Sequence, residues 1–333
     1  MRIAILGATG LVGTEMIRAI AASALPVTEL IPVASSRSAG KEITFRGTPY
    51  RVVTPEVALE KKPHLALFSA GGEASRLYAP QFAQIRCKVI DNSSAWRKET
   101  DVPLIVPEVN IDQIKPHHHI IANPNCSTIQ LVVVLNPLYK RFGFRRVIVS
   151  TYQSVSGSGV QGLQQLEEER QGEEAPTRCY PHRIDLNILP HGGDFLPDGT
   201  TTEETKLVFE TRKILSADDI AISATVARVP VMYGHSESVN IEFNHPADPV
   251  LIRETLRQAP GIVIIDDPTN NRYPMPVDVA GRDEVFVGRI RKDASLSHAA
   301  DLWIVADNLR KGAATNAVQI AVMMHQNGLI PSD

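Results

Sequence analysis

Over the first third of the chain, short apolar runs alternate with stretches whose apolar residues recur at helical spacing. Residues 3–6 read as a buried strand, and Leu11, Met16, Ile17 and Ile20 then fall on one helical face. Residues 30–34, 65–68, 89–91 and 120–122 read as further strands, with one helix over 74–84 and another from Ser127 to about Arg141. Strands alternating with helices predict a parallel sheet joined by βαβ crossovers. Beyond that helix, residues 147–152, 224–229, 238–243, 285–291 and 302–306 alternate apolar and polar positions. Helices are predicted between them near 163–170, 202–215 and 249–258, and a last one over 313–326. This second texture predicts an α+β domain with a mostly antiparallel sheet. Residues 171–200, rich in Gly, Pro and His, read as a long loop. The acidic run Glu167 to Glu169, with Glu173 and Glu174, reads as a solvated helix face and its exit.

Length agrees with two domains, because 333 residues exceed the roughly 100–200 of one ordinary domain. The expected division is an α/β, Rossmann-type domain over 1–125, rejoined by 311–333, and an α+β domain over 126–310. Thirty-four basic against 37 acidic residues leave a net charge of -3, so neither nucleic acid nor an anionic membrane is an expected partner. No apolar run reaches the roughly 18 residues of a membrane span. The N-terminal apolar stretch is broken by Gly7, Thr9, Gly10 and Gly13, with Glu15 and Arg18 close behind. It reads as strand, turn and helix, not as a signal peptide, and the protein is expected to be cytoplasmic. Three cysteines, at 87, 126 and 179, form neither a disulfide framework nor a CxxC zinc site. No histidine pair has convincing ligand spacing either, so no metal is expected.

The turn Gly7-Ala8-Thr9-Gly10-Leu11-Val12-Gly13 lies between the first strand and the first helix. Glycines there allow a tight turn and let backbone amides approach a pyrophosphate at a helix N-terminus. A purely structural turn is the alternative; its place after a strand favours the dinucleotide. An NAD site commonly offers a carboxylate after the second strand. This chain offers Ser35-Ser36-Arg37-Ser38-Ala39-Gly40-Lys41, which suits a 2′-phosphate and hence NADP, or else is a solvated basic loop. Ser69-Ala70-Gly71-Gly72 is a second glycine-rich strand end open to a cofactor. No tyrosine precedes a lysine by four residues, which argues against the short-chain dehydrogenases. Cys126, in Asn125-Cys126-Ser127-Thr128, sits where an extended segment meets a helix, and the helix dipole there favours a thiolate. The alternative is a buried structural cysteine, the reading kept for Cys87 and Cys179. His235 lies in a turn between two strands, where a side chain can be presented to a cleft.

Together, the glycine turn, Asn123-Pro124-Asn125-Cys126-Ser127-Thr128, Gln153-Ser154-Val155-Ser156-Gly157, Arg228-Val229-Pro230 and Gly234-His235-Ser236 resemble the aspartate-semialdehyde dehydrogenases. Residues 102–110 and 307–316 carry the resemblance further, so that it covers essentially the whole chain. The resemblance implies NADP-dependent, phosphorylating oxidation of L-aspartate 4-semialdehyde through a cysteine thioester. The reverse, biosynthetic direction reduces L-4-aspartyl phosphate on the route to lysine, threonine and methionine. Cys126 would be the nucleophile, His235 the acid/base and Gln153 a positioning residue. Arg228 would hold the substrate carboxylate, Glu203 its ammonium, and Lys206 and Arg97 the phosphate. For the helix, the residues alone favour a surface pair of Glu203 with Lys206, beside a capping box of Thr201 with Glu204. The cofactor set is Gly7, Thr9, Gly10, Leu11, Val12, Gly13, Ser36, Arg37, Ser38, Ser69, Gly71 and Asn308. The resemblance makes 1–125, rejoined by 311–333, the dinucleotide-binding (NADP) domain and 126–310 the catalytic and dimerisation domain. It implies a homodimer, with a small-molecule substrate and inorganic phosphate as the other partners. Two readings compete: an N-acetyl-γ-glutamyl-phosphate reductase, and a catalytically silent dinucleotide-binding homologue. The glutamate helix and the cysteine context argue against the first, and the presence of Cys126, Gln153 and His235 against the second. A cysteine protease would leave the glycine turn unexplained.

Overall fold

The computed structural model describes residues 1–173 and 178–330. They form two compact units, Met1–Asn125 continued from Ala313 onward, and Cys126–Gly312. Glu174 lies outside the described residues.

The first unit runs β1 (Arg2–Leu6), α1 (Leu11–Ala22), β2 (Glu29–Val33), β3 (Glu42–Phe45), β4 (Thr48–Arg51), α2 (Pro55–Glu60), β5 (Leu65–Phe68), α3 (Gly72–Gln84), β6 (Lys88–Asp91), α4 (Pro107–Asn110) and β7 (Ile120–Ala122). Its five-stranded sheet has the order β2-β1-β5-β6-β7, and every pairing is parallel. The strands are apolar without alternation because both faces are covered. Ile3, Ile5, Leu65 and Leu67 pack with Met16, Ile17 and Ile20 of α1. The intervening Ala4, Leu6, Ala66 and Phe68 pack with Ala79 and Phe82 of α3 and with Cys87. The closing helix, Thr315–Gln326, joins the α1 side through Ala317, Ile320, Ala321 and Met324. An amide pair secures it: Asn316 Nδ2 donates to Asn123 Oδ1 (2.7 Å) and to Ile105 O (3.1 Å). A π-helical turn over Arg310–Ala314 precedes this helix, so regular α geometry begins at Thr315 and not at the expected Ala313.

The β3–β4 hairpin escapes a pattern reading for a physical reason. Its two-residue turn, Arg46-Gly47, has positive φ at both positions (48° and 81°), a geometry usually signalled by Asn-Gly or Asp-Gly. Here Arg46 occupies the first position, and its guanidinium donates to the carbonyls of Ala21 and Ser23 at the end of α1. Capping those orphan carbonyls offsets the strain of the turn.

The second unit runs α5 (Cys126–Phe142), β8 (Phe144–Gln153), α6 (Gly159–Arg170), α7 (Thr202–Leu215), β9 (Ala221–Arg228), β10 (His235–Phe243), α8 (Pro249–Arg257), β11 (Ile262–Ile264), α9 (Pro276–Val279), β12 (Val285–Lys292) and β13 (Ala299–Ala306). Its six-stranded sheet has the order β11-β12-β13-β10-β8-β9. The interior pairings are antiparallel, while the two edge pairings, β11 with β12 and β8 with β9, are parallel. The sheet is therefore mixed. A parallel neighbour needs a long crossover, and α6, the loop after it and α7 provide one between β8 and β9. Val147, Val149 and Thr151 of β8 and Val239, Ile241 and Phe243 of β10 form the buried face, against which α5 packs. The opposite face is half-exposed, with Tyr152 against Trp303 at 5.4 Å.

The acidic end of α6 corrects the sequence reading. Glu169 Oε2 accepts from the backbone N–H groups of Ile184 and Asp185, both at 2.8 Å, and is thus an anchor for the loop. Fully buried Gln165 does the same one turn earlier, its Oε1 accepting from Cys179 N (2.7 Å) and Tyr180 N (2.9 Å).

Candidate active site

In the first unit, a cleft of about 570 Å³ opens at the C-terminal ends of β1, β2 and β5. Gly7, Thr9, Gly10, Ser36 and Ser69 line it, as does Ser35. That volume lies within the range of cofactor pockets. Its floor exists because two side chains are missing. A Cβ on Gly7, where φ is +80°, would stand 2.2 Å from Ser69 O, and one on Gly13 would stand 2.1 Å from Gly7 O. Glycines at these points let α1 and the β5 end close on the turn. Its Gly7 and Ala8 N–H groups donate to Val33 O (2.9 and 3.1 Å), and its Gly10 N–H donates to Gly7 O (3.0 Å). Leu11, Val12 and Gly13 form the first turn of α1. Gly71 (φ +87°) caps α3. Arg37 is exposed, Ser38 half-exposed, and neither belongs to the cleft lining.

One lining residue changes the electrostatic picture. No carboxylate follows β2 in sequence, yet Glu56 of α2 lines the cleft. Tyr78 donates to it at 2.7 Å, and that bond holds its carboxyl below the usual range. Arg97, also in this unit, is buried, and its Nη2 donates to Asn92 O (2.9 Å).

In the second unit, the chemistry gathers at one end of the six-stranded sheet. Gln153 closes β8 and Arg228 closes β9, and the two are directly paired in register. His235 opens β10, one position from the Ser236–Tyr152 pair. Gln153 Nε2 donates to Ser127 Oγ at 3.1 Å, joining this end of the sheet to the start of α5, where Cys126 stands. Arg228 Nη1 donates to Ser154 O at 2.7 Å. His235 is fully buried, and its Nδ1 accepts from the Ser154 backbone N–H at 3.0 Å. Burial, reinforced by the Arg228 charge, pushes the imidazole well below its ordinary pKa. Arg228 itself lies over the Tyr180 ring at 5.8 Å.

Two glycines keep space at this place. A Cβ on Gly157 would lie 2.8 Å from Arg228 Nη1 and 3.2 Å from His235 Nε2, so the glycine leaves room between guanidinium and imidazole. A Cβ on Gly312 would lie 2.9 Å from the Cys126 Cβ. Glu203 and Lys206 pair with each other on α7, whose first turn also carries a full capping box of Thr201 with Glu204. Glu204 also accepts from Val226 N (3.1 Å), which ties α7 to β9. Gly192 approaches both Glu203 and Val226, setting Glu203 beside the strand that ends in Arg228. Asn308 belongs to this unit. Its Oδ1 accepts from Ser154 Oγ (3.0 Å), Ser156 Oγ (3.2 Å) and Gly234 N (3.0 Å). It therefore holds the segments flanking His235. The other two thiols have their pKa raised by burial, that of Cys87 strongly.

Family patterns match both halves of the chain. The NAD binding domain of the semialdehyde dehydrogenases matches residues 2–117, and their dimerisation domain matches residues 135–311. The aspartate-semialdehyde dehydrogenase of Aquifex aeolicus is 50% identical over 341 residues, covering 99% of each chain. The chain belongs to the aspartate-semialdehyde dehydrogenase family. It is an oxidoreductase with an NAD(P)-binding domain. Among solved members of the family, the Vibrio cholerae enzyme II complexed with ASA superposes with a TM-score of 0.94 at 43% identity, covering 98% of each chain. The Candida albicans enzyme with NADP gives a TM-score of 0.78 at 27% identity over 99% of each chain. Among the described residues, no helix is long and apolar enough to cross a membrane, and no group of three His, Cys, Asp or Glu is placed to hold a metal ion.

The family motifs led to Gln153, Arg228 and His235, but not to the roles of Ser154, Gly157, Gly312 or Asn308. The available signal was the cluster Ser154-Val155-Ser156-Gly157 directly after a strand. Small polar residues at a strand end offer a backbone and hydroxyls close enough to support a neighbouring ring.

Proposed function

We propose that this oxidoreductase uses NADP to interconvert L-aspartate 4-semialdehyde plus phosphate and L-4-aspartyl phosphate. The observation that carries the reading is the gathering of Gln153, Arg228 and His235 at one sheet end that is bonded to the start of the Cys126 helix. Cys126 attacks the aldehyde carbon, and Gln153, fixed through Ser127, holds the edge of the site nearest that helix. Arg228 keeps one Nη1 on the Ser154 carbonyl and presents its remaining donors to the substrate carboxylate. Glu203 takes the ammonium and Lys206 the phosphate, so their mutual ion pair opens when substrate arrives. Arg97 is the second phosphate ligand.

The first unit holds the cofactor on the turn of residues 7–13, through the first-turn amides of α1, and on Ser69 and Gly71. Ser36, Arg37 and Ser38 receive the 2′-phosphate, and Arg37 makes no ion pair or hydrogen bond among the described residues that would compete. The bound nicotinamide supplies the hydride acceptor. A homodimer forms through the second unit, whose half-exposed sheet face carries Tyr152 and Trp303. Three cysteines without a disulfide suit a cytoplasmic setting.

The test is cofactor reduction with L-aspartate 4-semialdehyde or with N-acetyl-L-glutamate 5-semialdehyde, each with and without phosphate. The first aldehyde should be oxidised only with phosphate and faster with NADP than with NAD, and prior thiol alkylation should abolish the signal. Preference for the acetylated aldehyde would overturn the assignment.

A further inference from the structure

Arg228 carries a buried positive charge with little around it in compensation. Only 7% of the residue is exposed, and it makes no ion pair among the described residues. The Nη1 bond to Ser154 O (2.7 Å) is the one hydrogen bond of its side chain among them. A buried guanidinium without a counter-ion is costly. A single bond also leaves the plane free to turn, whereas two-point recognition of a carboxylate needs the fork held in one orientation. The remaining support comes from the loop after α6. Tyr180 turns the face of its ring to the guanidinium, with Cζ 5.8 Å from the ring centre. The negative face of an aromatic ring attracts a cation at this range, most strongly where water is excluded.

The ring is itself held at both ends. Gln165 Oε1 accepts from the backbone N–H groups of Cys179 (2.7 Å) and Tyr180 (2.9 Å), and Gln165 Nε2 donates to Glu169 Oε1 (2.7 Å). At the far end, the Tyr180 hydroxyl donates to Ser158 Oγ at 2.9 Å. Gly162, inside α6, makes that approach possible. A Cβ there would stand 2.9 Å from Tyr180 Oη and 2.5 Å from Val155 O. Glycine weakens a helix interior, so its place here has a packing reason. Further on, the same loop returns to Arg228: Leu189 N donates to Arg228 O (3.0 Å), and Arg228 N donates to Leu189 O (2.8 Å). Burial raises the Tyr180 phenol above its ordinary pKa while the Arg228 charge pulls the other way. The ring is therefore neutral near pH 7.

Resting on the function proposed above, in which Arg228 anchors the substrate carboxylate, we propose that Tyr180 is a positioning residue for that anchor. Its ring face holds the guanidinium plane, and the loop from 178 to 189 thereby sets the affinity for the carboxylate. Gln165 and Glu169 act on the substrate only through this ring. Tyr180 touches no reacting atom, so its contribution is uniform binding, felt in KM and not in kcat.

The test compares the parent with Tyr180→Leu and Tyr180→Phe on two aldehydes. One is L-aspartate 4-semialdehyde, and the other is 3-aminopropanal, the same molecule without its carboxylate. Tyr180→Leu should raise KM for the semialdehyde about tenfold, with kcat and the KM for NADP within about twofold. Its kcat/KM for 3-aminopropanal should match that of the parent. Tyr180→Phe keeps the ring face and should stay within about threefold of the parent on both aldehydes. Equal losses on the two aldehydes, or a Phe variant as weak as the Leu variant, would overturn the proposal, because either belongs to a structural strut. A second readout needs no substrate. In NMR of the full-length protein labelled in its arginines, the signal missing from Arg228→Lys identifies Arg228. In the parent the ring should shift its guanidinium protons to low frequency, and Tyr180→Phe should preserve that shift. An unshifted parent signal overturns the proposal even where the Leu variant does not fold. The two readings fail separately. A parent that uses both aldehydes equally well removes Arg228 as the carboxylate anchor, whereas the NMR shift reports whether Tyr180 holds Arg228 at all.

Discussion

The cofactor cleft of the first unit and the imidazole end of the second sheet are built on opposite plans. The cleft depends on side chains that are missing, at Gly7 and Gly13, and the decisive residues lie within seven positions of each other. The imidazole end depends on side chains that are present, drawn from residues 126–127, 153–157, 228, 235 and 308. A backbone site of the first kind tolerates almost no substitution at its glycines. It leaves the chemistry of the ligand to exposed residues such as Arg37. A convergent site of the second kind distributes its precision over a hydrogen-bonded shell, so a single change can remove catalysis and leave the fold standing.

The largest expected effect separates the two plans most cleanly. Cys126→Ala should lower kcat by at least about a thousandfold, or ~4 kcal/mol of barrier. NADP affinity, measured by fluorescence titration, should stay within about twofold. Retained turnover would break the covalent mechanism, and lost cofactor binding would break the division of labour between the units. Gly157→Ala comes next. Its methyl would enter the gap 2.8 Å from Arg228 Nη1 and 3.1 Å from His235 Cε1. Displacement of either group by a fraction of an ångström should reduce kcat about ten- to a hundredfold, with cofactor affinity unchanged. An unchanged kcat would show that the space beside the imidazole is not used.

The same contrast explains what could be read from the chain. Strand–turn–helix periodicity and the Gly7 to Gly13 spacing are local, so the parallel sheet and its cofactor turn were legible. The loop after β2 was legible too, but Glu56 enters the cleft from α2, about twenty residues later, and no local pattern announces it. The Arg46-Gly47 hairpin was hidden because a tertiary contact with α1 stabilises a turn the dipeptide alone does not favour. In the second unit, Cys126 and His235 stood out by residue type and context, and the resemblance added Arg228 and Gln153. Only the fold brings residue 308 against residues 154, 156 and 234, where it supports the segments around the imidazole. The parallel edges of the second sheet were illegible for the same reason, since alternation reports which face is buried and not the direction of the neighbour.

The smallest effect tests a part of the convergent site that no reaction step uses. Glu237 is fully buried on β10, directly opposite Thr151 of β8 and Ile304 of β13. Burial pushes its carboxyl well above the usual carboxylate range, and the Gln130 side chain of α5 offsets this only in part. In the unfolded chain the same carboxyl ionises near its ordinary value of about 4.3. Between those two values the native state carries one proton more than the unfolded state, so this residue makes stability fall as pH rises, by at most about 1.4 kcal/mol per pH unit. His235 has the opposite sign. Its lowered pKa means that the unfolded chain takes up a proton below about pH 6.5 while the native ring stays neutral, so its contribution rises with pH and is complete above that point. Comparing the parent with Glu237→Gln by urea unfolding at each pH above about 5 isolates Glu237, because every other titrating group is common to both chains. Glu237→Gln, a neutral side chain of nearly the same shape, should remove this residue's share of the downward slope and stabilise the protein increasingly as pH rises. A slope identical to that of the parent would mean that Glu237 is ionised in the folded state. The convergent site would then contain a buried charge beside its neutral imidazole, and the contrast with the backbone-built cleft would lose its electrostatic half.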